Sequence, residues 1–276
     1  MIGLPATGIS VRRLAQHSGV MRDGERIVPE EIPVAFSYGG STHAVMMATP
    51  ADLEDFAVGF SLTEEIISTA AEIKDIQIEV HGEGLDVQIQ LVDDASDALR
   101  VRRRHMAGPV GCGLCGIESI EQALRTVKSV EQIQLAVCAD DIVNSVAGLS
   151  SAQALNRQTH AVHGAGFYIP GEGLIAARED VGRHNALDKL VGAVLRGGRA
   201  GAEGIVAVTS RVSVEMVQKA ALLGSPVLAA VSAPTALAIR TAQAAGITLA
   251  AVVRGNDFEI FTHPQRIRLE AISDVA

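Results

Sequence analysis

Three short apolar runs near the C-terminal end constrain the fold of this chain more than any other feature. They are GIVAVTS, PVLAAVS and ITLAAVV, and they alternate with the helical segments VSVEMVQKAALLG and PTALAIRTAQAAG, each of which ends at a glycine. Compact apolar runs joined by helices are typical of parallel strands that are buried on both faces. Because such crossovers are right-handed, the pattern predicts a βαβαβ unit whose three strands are neighbours.

Two hairpins and one helix are predicted in the first hundred residues. RIVPEEIPVAFSYGGSTHAVMMAT predicts a hairpin that turns at Gly39 and Gly40, and the alternation in IKDIQIEVHGEGLDVQIQLV predicts a second hairpin. Between them, TPADLEDFAVGFSLTEEII predicts a helix that is capped by Thr49 and has Pro50 at its first position. The apolar face of this helix holds Leu53, Phe56, Ala57 and Phe60.

We expect two domains, a small α+β domain over residues 1–105 and a larger α/β domain over residues 106–276. In the larger domain, the periodicity of IESIEQALRTV and DDIVNSVAGLSSAQALNRQ predicts helices, and HAVHGAGFYI and GLIAARED predict strands. These elements precede the βαβαβ unit. The fold class is therefore mixed α/β, with a βαβαβ core and a smaller α+β part.

Composition excludes several classes of function. The net charge of −9, the 3% of aromatic residues and the lack of tryptophan disfavour binding to nucleic acids or to anionic membranes. No uninterrupted apolar stretch is long enough to span a bilayer, and the first residues lack the layout of a secretory signal. Three cysteines are too few for a disulfide framework. These features lead us to expect a cytoplasmic protein that does not bind membranes.

Glycines surround both thiols of GPVGCGLCGIES, which holds Cys112 and Cys115. A Cys-x-x-Cys pair in a reducing compartment is more often catalytic or metal-binding than a structural disulfide. Three chemistries are open for this pair: half of a zinc site completed by His160 and His163, a redox dithiol, and a thiolate that carries sulfur as a persulfide. The arginines of RVRRRH, just upstream, favour a thiolate, and a mobile exposed loop suits the sulfur carrier best.

The sequence argues against zinc deaminase chemistry. A zinc deaminase needs a His-x-Glu motif, and HAVHGAG carries no glutamate after either histidine.

Cys138, in IQLAVCADD, lies among apolar residues, where a free cysteine usually packs as a small hydrophobic side chain. We therefore expect Cys138 in the core.

The segments that follow the predicted strands are rich in arginine and hydroxyl groups. TSRVS, SAPT and RGND follow the three parallel strands, and REDVGRHNALDK follows a fourth. The carboxyl ends of parallel strands meet at one edge, where open α/β sheets bind their ligands. Arginines beside helix N-termini favour phosphate groups, so we expect an anionic small ligand at this edge. The arginines that we expect there are Arg178, Arg183, Arg211 and Arg254.

Five motifs together resemble the FdhD/NarQ family, the formate dehydrogenase accessory sulfurtransferases. They are TPADLEDFAVGFSLTEEII, CGLCG, EDVGRHNALDK, TSRVSVEMVQKAA and SAPTALA. The resemblance extends from about residue 30 to about residue 262. It implies that the larger domain is a three-layer domain similar to the cytidine deaminase fold, without its zinc chemistry, and that the protein is a homodimer.

The resemblance also implies a reaction. A cytoplasmic sulfur carrier of this family takes sulfur from a cysteine desulfurase as a persulfide, which the motif places on Cys112, with Cys115 as an assisting thiol. The sulfur then passes to the molybdenum cofactor, bis-molybdopterin guanine dinucleotide, before the cofactor enters formate dehydrogenase. The alternative is a non-catalytic chaperone of that cofactor, in which the cysteine pair is structural or binds a metal.

Ten residues are expected to bind the molybdenum cofactor. The resemblance places the family's cofactor segment at Val252, Val253, Arg254, Gly255, Asn256 and Asp257. The predicted edge of the sheet adds Arg183, His184, Arg211 and Ser232. A guanine nucleotide should mimic the cofactor, and no metal held by protein ligands is expected. His163 lies in THAVHG, where the family commonly has Thr-Gly-Gly-x-His, and its role is left open.

Overall fold

A computed structural model describes residues 3–93, 95–96 and 127–268 of the chain. The loop with Cys112 and Cys115 and the arginine run at 100–105 lie outside the described residues. So does the helix predicted from IESIEQALRTV, apart from its last residue. The predictions made for these segments therefore stay predictions.

Within the described residues, the N-terminal part contains six strands and one longer helix. In chain order these are β1 (Gly8–His17), β2 (Val20–Pro29), β3 (Ile32–Tyr38), β4 (Ser41–Ala48), α1 (Leu53–Thr63), β5 (Ile73–His81) and β6 (Gly84–Leu91). Strands β3 to β6 form one sheet in the order β4-β3-β6-β5, and both predicted hairpins are confirmed as β3–β4 and β5–β6. The sequence did not predict β1 and β2, which pair with each other as a separate and largely exposed hairpin.

The C-terminal part is built around a mixed six-stranded sheet. Its elements are β7 (Val137–Cys138), α2 (Ala139–Ala152), α3 (Ala154–Thr159), β8 (His163–Ile169), β9 (Gly173–Asp180), α4 (Arg183–Arg196), β10 (Ile205–Val208), α5 (Val214–Leu223), β11 (Val227–Ala230), α6 (Ala236–Ala245), β12 (Thr248–Arg254), β13 (Asp257–Thr262) and β14 (Ile267–Arg268). The strand order is β13-β12-β11-β10-β8-β9, and β10, β11 and β12 are parallel neighbours. The predicted βαβαβ unit is confirmed.

Alternating residues of the central strands bury both faces of this sheet. Val206 and Leu228 pack into the larger core, which includes α4, α5 and α6, whereas Ile205 and Val227 pack into a second core with Ile142 of α2. Helices thus cover both faces, as continuous apolar strands require. The mixed α/β fold class is confirmed.

Helix α1 joins the two sheets, but it begins later than the sequence predicts. It starts at Leu53 after Asp52, which has a left-handed backbone conformation, and not at Pro50 with Thr49 as its cap. The predicted cap is wrong because the hydroxyl of Thr49 accepts a hydrogen bond from the backbone of Val181 instead. The expected apolar face is confirmed, since Leu53, Phe56, Ala57 and Phe60 are all buried.

Two glycines let α1 and α4 cross with their backbones in contact. A Cβ atom added to Gly59 would lie 1.7 Å from the carbonyl oxygen of Asp188, and one added to Gly192 would lie 1.8 Å from that of Asp55. No side chain larger than hydrogen fits at either position. The larger core consequently includes residues of both sheets. The domain boundary predicted near residue 105 stays a prediction.

Candidate functional site

Four strands end at the same edge of the central sheet. Strand β8 is antiparallel to both β9 and β10, so β9 runs in the same direction as β10, β11 and β12. Helices α4, α5 and α6 begin a few residues after β9, β10 and β11. The edge predicted from the sequence is therefore formed, and we call it the crevice edge.

Arg183 and His184 are the first two residues of α4 at this edge. The Nε atom of Arg183 is buried and, within the described part of the chain, has no hydrogen-bond partner. A buried donor without a partner costs about 1–3 kcal/mol. An anion that accepted this hydrogen bond would remove that cost, and the free backbone N–H groups of the first turn of α4 favour an anion at the same place.

His184 contacts an acid that sequence reasoning missed. Its Nε2 atom lies 2.7 Å from Oε2 of Glu215, in the first turn of α5, at ion-pair distance but without the alignment of a hydrogen bond. The imidazole holds the pKa of the Glu215 carboxyl below its usual value. In the sequence, Glu215 is typical of an acid that stabilises a helix N-terminus, and nothing there indicates a partner 31 residues away.

His163 lies on β8 opposite Asp180 on β9. Partial burial lowers the pKa of its imidazole, the positive charge of Arg183 and nearby His184 lower it further, and Asp180 acts in the opposite direction. His163 is therefore mostly neutral at neutral pH and belongs to the crevice edge. His160 is exposed and ends α3 with a left-handed backbone conformation. Among the residues that the structure describes, no cluster of three or more metal-ligating side chains occurs.

The connections after β10 and β11 place Arg211 and Ser232 at the crevice edge. Arg211 is exposed, and the hydroxyl of Ser232 donates to the carbonyl oxygen of Thr209 at 3.3 Å. Val212 and Pro234 form an isolated parallel β-bridge, so the two connections run side by side beyond the ends of the strands. Both residues are where the sequence predicted them.

The segment from Val252 to Asp257 turns sharply at the same edge. Val252 has a φ of 57°, which is rare and strained for a β-branched residue, and the strand register shifts between Ala251 and Arg254. Gly255 and Asn256 then form the turn that brings Arg254 opposite Asp257. The side chain of Val253 is buried, whereas those of Arg254, Asn256 and Asp257 are exposed.

Two expectations from the sequence are wrong. Arg178 does not face a ligand, because its Nε and Nη2 atoms bond to Oδ2 of Asp55 in α1 at 2.8 and 2.6 Å. Cys138 is exposed and not part of the core, since it is the residue before α2 and the apolar run that contains it forms only a two-residue strand. Its Sγ atom lies 3.1 Å from Oδ2 of Asp141, and this contact raises the pKa of the thiol.

Two wide clefts lie elsewhere on the described surface. One, of about 410 Å³, lies between β9 and the end of α4, and the other, of about 620 Å³, lies between residues 131–136 and 265–268. Neither contains residues of the crevice edge. No helix of the described chain is long and apolar enough to cross a membrane.

The central sheet places this protein in the class of open α/β-sheet proteins, which bind their ligands at the carboxyl ends of their parallel strands. The model of the FdhD/NarQ family matches residues 29–268. The chain belongs to this family.

Several relatives are similar over most of their length. The sulfur carrier protein FdhD of Agrobacterium fabrum is 65% identical, over 98% of this chain and 99% of the relative. The protein of the same name from Cupriavidus necator is 49% identical, over 88% of this chain and 84% of the relative. The crystal structure of a protein described as a formate dehydrogenase accessory protein, from Desulfotalea psychrophila, superposes with a TM-score of 0.76 at 26% identity. The superposition covers 95% of this chain and 100% of the Desulfotalea psychrophila chain.

Proposed function

We propose that this protein is a sulfur carrier in the maturation of formate dehydrogenase, and that it sulfurates the molybdenum cofactor. Membership of the FdhD/NarQ family and the names of its relatives support the general role. The Cys-x-x-Cys motif supports the finer one, because glycines flank both of its thiols in the sequence and add no side-chain bulk beside the sulfur atoms. The protein would act as a homodimer in the cytoplasm.

The first step of the proposed reaction is transfer between two thiols. The thiolate of Cys112 attacks the terminal sulfur of a persulfide on a cysteine desulfurase. A new S–S bond forms on Cys112, the S–S bond of the desulfurase breaks, and the desulfurase cysteine leaves as a thiolate. The oxidation states are conserved in this step. In the onward transfer, the thiolate of Cys115 would attack the inner sulfur of the Cys112 persulfide. A Cys112–Cys115 disulfide forms, the S–S bond of the persulfide breaks, and the outer sulfur leaves at the sulfide level for molybdenum, with the two electrons supplied by the cysteine pair.

The substrate that receives the sulfur is bis-molybdopterin guanine dinucleotide, and the crevice edge is its proposed binding site. Its two pyrophosphate groups are anions of the kind that helix N-termini and arginines bind. The observation that carries this assignment is the buried Nε atom of Arg183 at the start of α4, which has no hydrogen-bond partner among the described residues. Arg211 and Arg254 are exposed on the same edge and add positive charge.

Binding of GDP to the full-length protein tests the site, because GDP carries the guanine and the diphosphate of the substrate. Arg254→Ala should weaken GDP binding by about tenfold, the loss expected for one charged hydrogen bond. Arg12→Ala is a matched control, since Arg12 is an exposed arginine on the β1–β2 hairpin and its loss changes the net charge equally. Equal affinities of the two variants, measured by isothermal titration calorimetry, would place the nucleotide elsewhere.

The alternative function is a cofactor chaperone without sulfur chemistry. It shares the crevice edge with the sulfur carrier, so GDP binding does not separate the two functions. Loading of sulfur onto Cys112 does, because a chaperone with a structural or metal-binding cysteine pair would accept no sulfur from a desulfurase.

A further inference from the structure

The fully buried carboxylate of Asp180 lies at the junction between β9 and α4. Its Oδ1 atom accepts hydrogen bonds from the backbone N–H of Gly182 at 2.8 Å and from Nδ2 of Asn185 at 2.9 Å. The bond to a backbone N–H two residues later forms an Asx turn. This turn sets the direction in which the chain leaves the strand and enters the helix.

Gly182 fits this turn only because it lacks a side chain. A Cβ atom at this position would lie 2.7 Å from Nδ2 of Asn185 and 3.4 Å from Oδ1 of Asp180. Gly182 also precedes α4 without a side-chain cap. The Asx turn of Asp180, together with the hydrogen bond from the backbone N–H of Val181 to the hydroxyl of Thr49, therefore fixes where the helix begins.

The other oxygen of Asp180 ties the turn to the N-terminal part of the chain. Oδ2 accepts from the backbone N–H of Thr49 at 3.0 Å and from Nζ of Lys189 at 2.6 Å. Lys189 is itself fully buried and also donates to the carbonyl oxygen of Thr49 at 2.8 Å. Asn185 in turn donates to the carbonyl oxygen of Met47 at 2.8 Å. The connection between β4 and α1 thus clamps the turn in place.

We infer that Asp180 is a positioning residue for the crevice edge, which holds the N-terminus of α4 so that Arg183 can meet an anion. Arg183 follows the Asx turn directly, and the side chain of Asp180 is too deeply buried to contact a ligand itself. This inference rests on the proposed function, because it assumes that the crevice edge binds an anion.

A second buried ion pair on the same helix provides a matched control. The carboxylate of Asp188 is buried, bonds to Nζ of Lys219 at 2.8 and 2.9 Å, and accepts from the hydroxyl of Thr63 at 2.6 Å. It also links α4 to the N-terminal part of the chain, through α1. It lies further along α4, and the hydrogen bonds of its side chain among the described residues go to Thr63 and Lys219 and not to the Asx turn. Loss of Asp188 should therefore reduce stability without altering the crevice edge.

The test compares GDP affinity and thermal unfolding for Asp180→Ala and Asp188→Ala in the full chain. Both variants should unfold at lower temperature than the wild type, because each leaves a buried lysine without its carboxylate. At a temperature where both remain folded, Asp180→Ala should bind GDP about tenfold more weakly. Asp188→Ala should stay within about twofold of the wild type.

Asparagine variants keep the test decisive where the alanine variants do not fold. Asp180→Asn keeps an oxygen that can accept from Gly182 but turns an NH2 group toward the N–H of Thr49 and the ammonium of Lys189. It should bind GDP more weakly than Asp188→Asn. Equal affinity of the two folded variants would overturn the positioning role alone. A wild-type protein that does not bind GDP would overturn the proposed site, and this role of Asp180 with it.

Discussion

At the scale of single residues, the crevice edge is a set of charges whose effects on one another can be read from their positions. Arg183 lowers the pKa of His163, and His184 lowers that of Glu215. The sequence predicted Arg183 and His184 as site residues, because arginine beside a helix N-terminus is a recognisable local pattern. It could not predict Glu215 as the partner of His184, since that contact depends on how α4 and α5 lie side by side.

The pKa of His163 gives a prediction about pH. Because the folded protein holds this pKa below the unfolded value of about 6.5, the folded state binds fewer protons than the unfolded state between the two values. The neutral imidazole therefore stabilises the folded state at neutral pH, and this contribution is lost as the pH falls through this range. His163→Gln should make the unfolding midpoint less sensitive to acid as the pH falls below about 6.5.

Proton NMR of the imidazole resonances checks the assignment directly. Among the described residues, the charged groups that act on His163 are Arg183, His184 and Asp180, and of these it is Asp180 that raises its pKa. Asp180→Asn should consequently lower the pKa of His163 further, whereas Asp188→Asn should leave it unchanged. A His163 that titrates at the same pH in all three proteins would contradict this account of the crevice edge.

At the scale of elements, the site is formed where the strands end, and the end of β12 has an unusual backbone conformation. A valine with a φ of 57° is strained by about 1–3 kcal/mol, and such strain persists only where the surrounding structure enforces it. The bulge and the turn that follow Val252 aim the exposed residues Arg254 to Asp257 along the crevice edge. Strain of this kind is concentrated at functional sites, which supports the placement of the cofactor segment here.

Replacement of Val252 by glycine tests that strain. Glycine adopts positive φ without cost, so the strain that it relieves should offset part of the lost side-chain packing. Val231 is a matched control, because it is a half-buried valine that follows the neighbouring strand β11 and is not among the residues with positive φ. Urea denaturation should show that Val252→Gly costs about 1 kcal/mol less stability than Val231→Gly. Equal losses would show that Val252 is not strained.

At the scale of the whole molecule, two buried ion pairs fasten the N-terminal part to the central sheet. Lys189 with Asp180 and Lys219 with Asp188 both reach residues of the β4–α1 region, Thr49 and Thr63 respectively. The sequence predicted the strands and helices of this region, because hydrophobic periodicity is a local signal. It missed the start of α1, because the hydroxyl of Thr49 accepts a hydrogen bond from Val181, more than 130 residues away, and does not cap α1. The long, exposed β1–β2 hairpin was missed as well.

The position of the thiols relative to the crevice edge could not be obtained from periodicity either. Cys112 and Cys115 were predicted as the sulfur-carrying site from the family motif, and they lie outside the described residues. The crevice edge and the cysteine loop are therefore linked through the proposed reaction. That reaction requires that Cys112 carries sulfur, and this is the central claim.

Mass spectrometry of the cysteine-loop peptide tests that claim most directly. The protein is incubated with a cysteine desulfurase and cysteine, digested without reductant, and compared with its Cys112→Ala and Cys138→Ala variants. We expect that the wild-type loop peptide gains the mass of one sulfur atom, that Cys138→Ala retains this gain, and that Cys112→Ala loses it. A wild-type protein that binds GDP but gains no sulfur, or a Cys112→Ala variant that still gains it, would contradict the account.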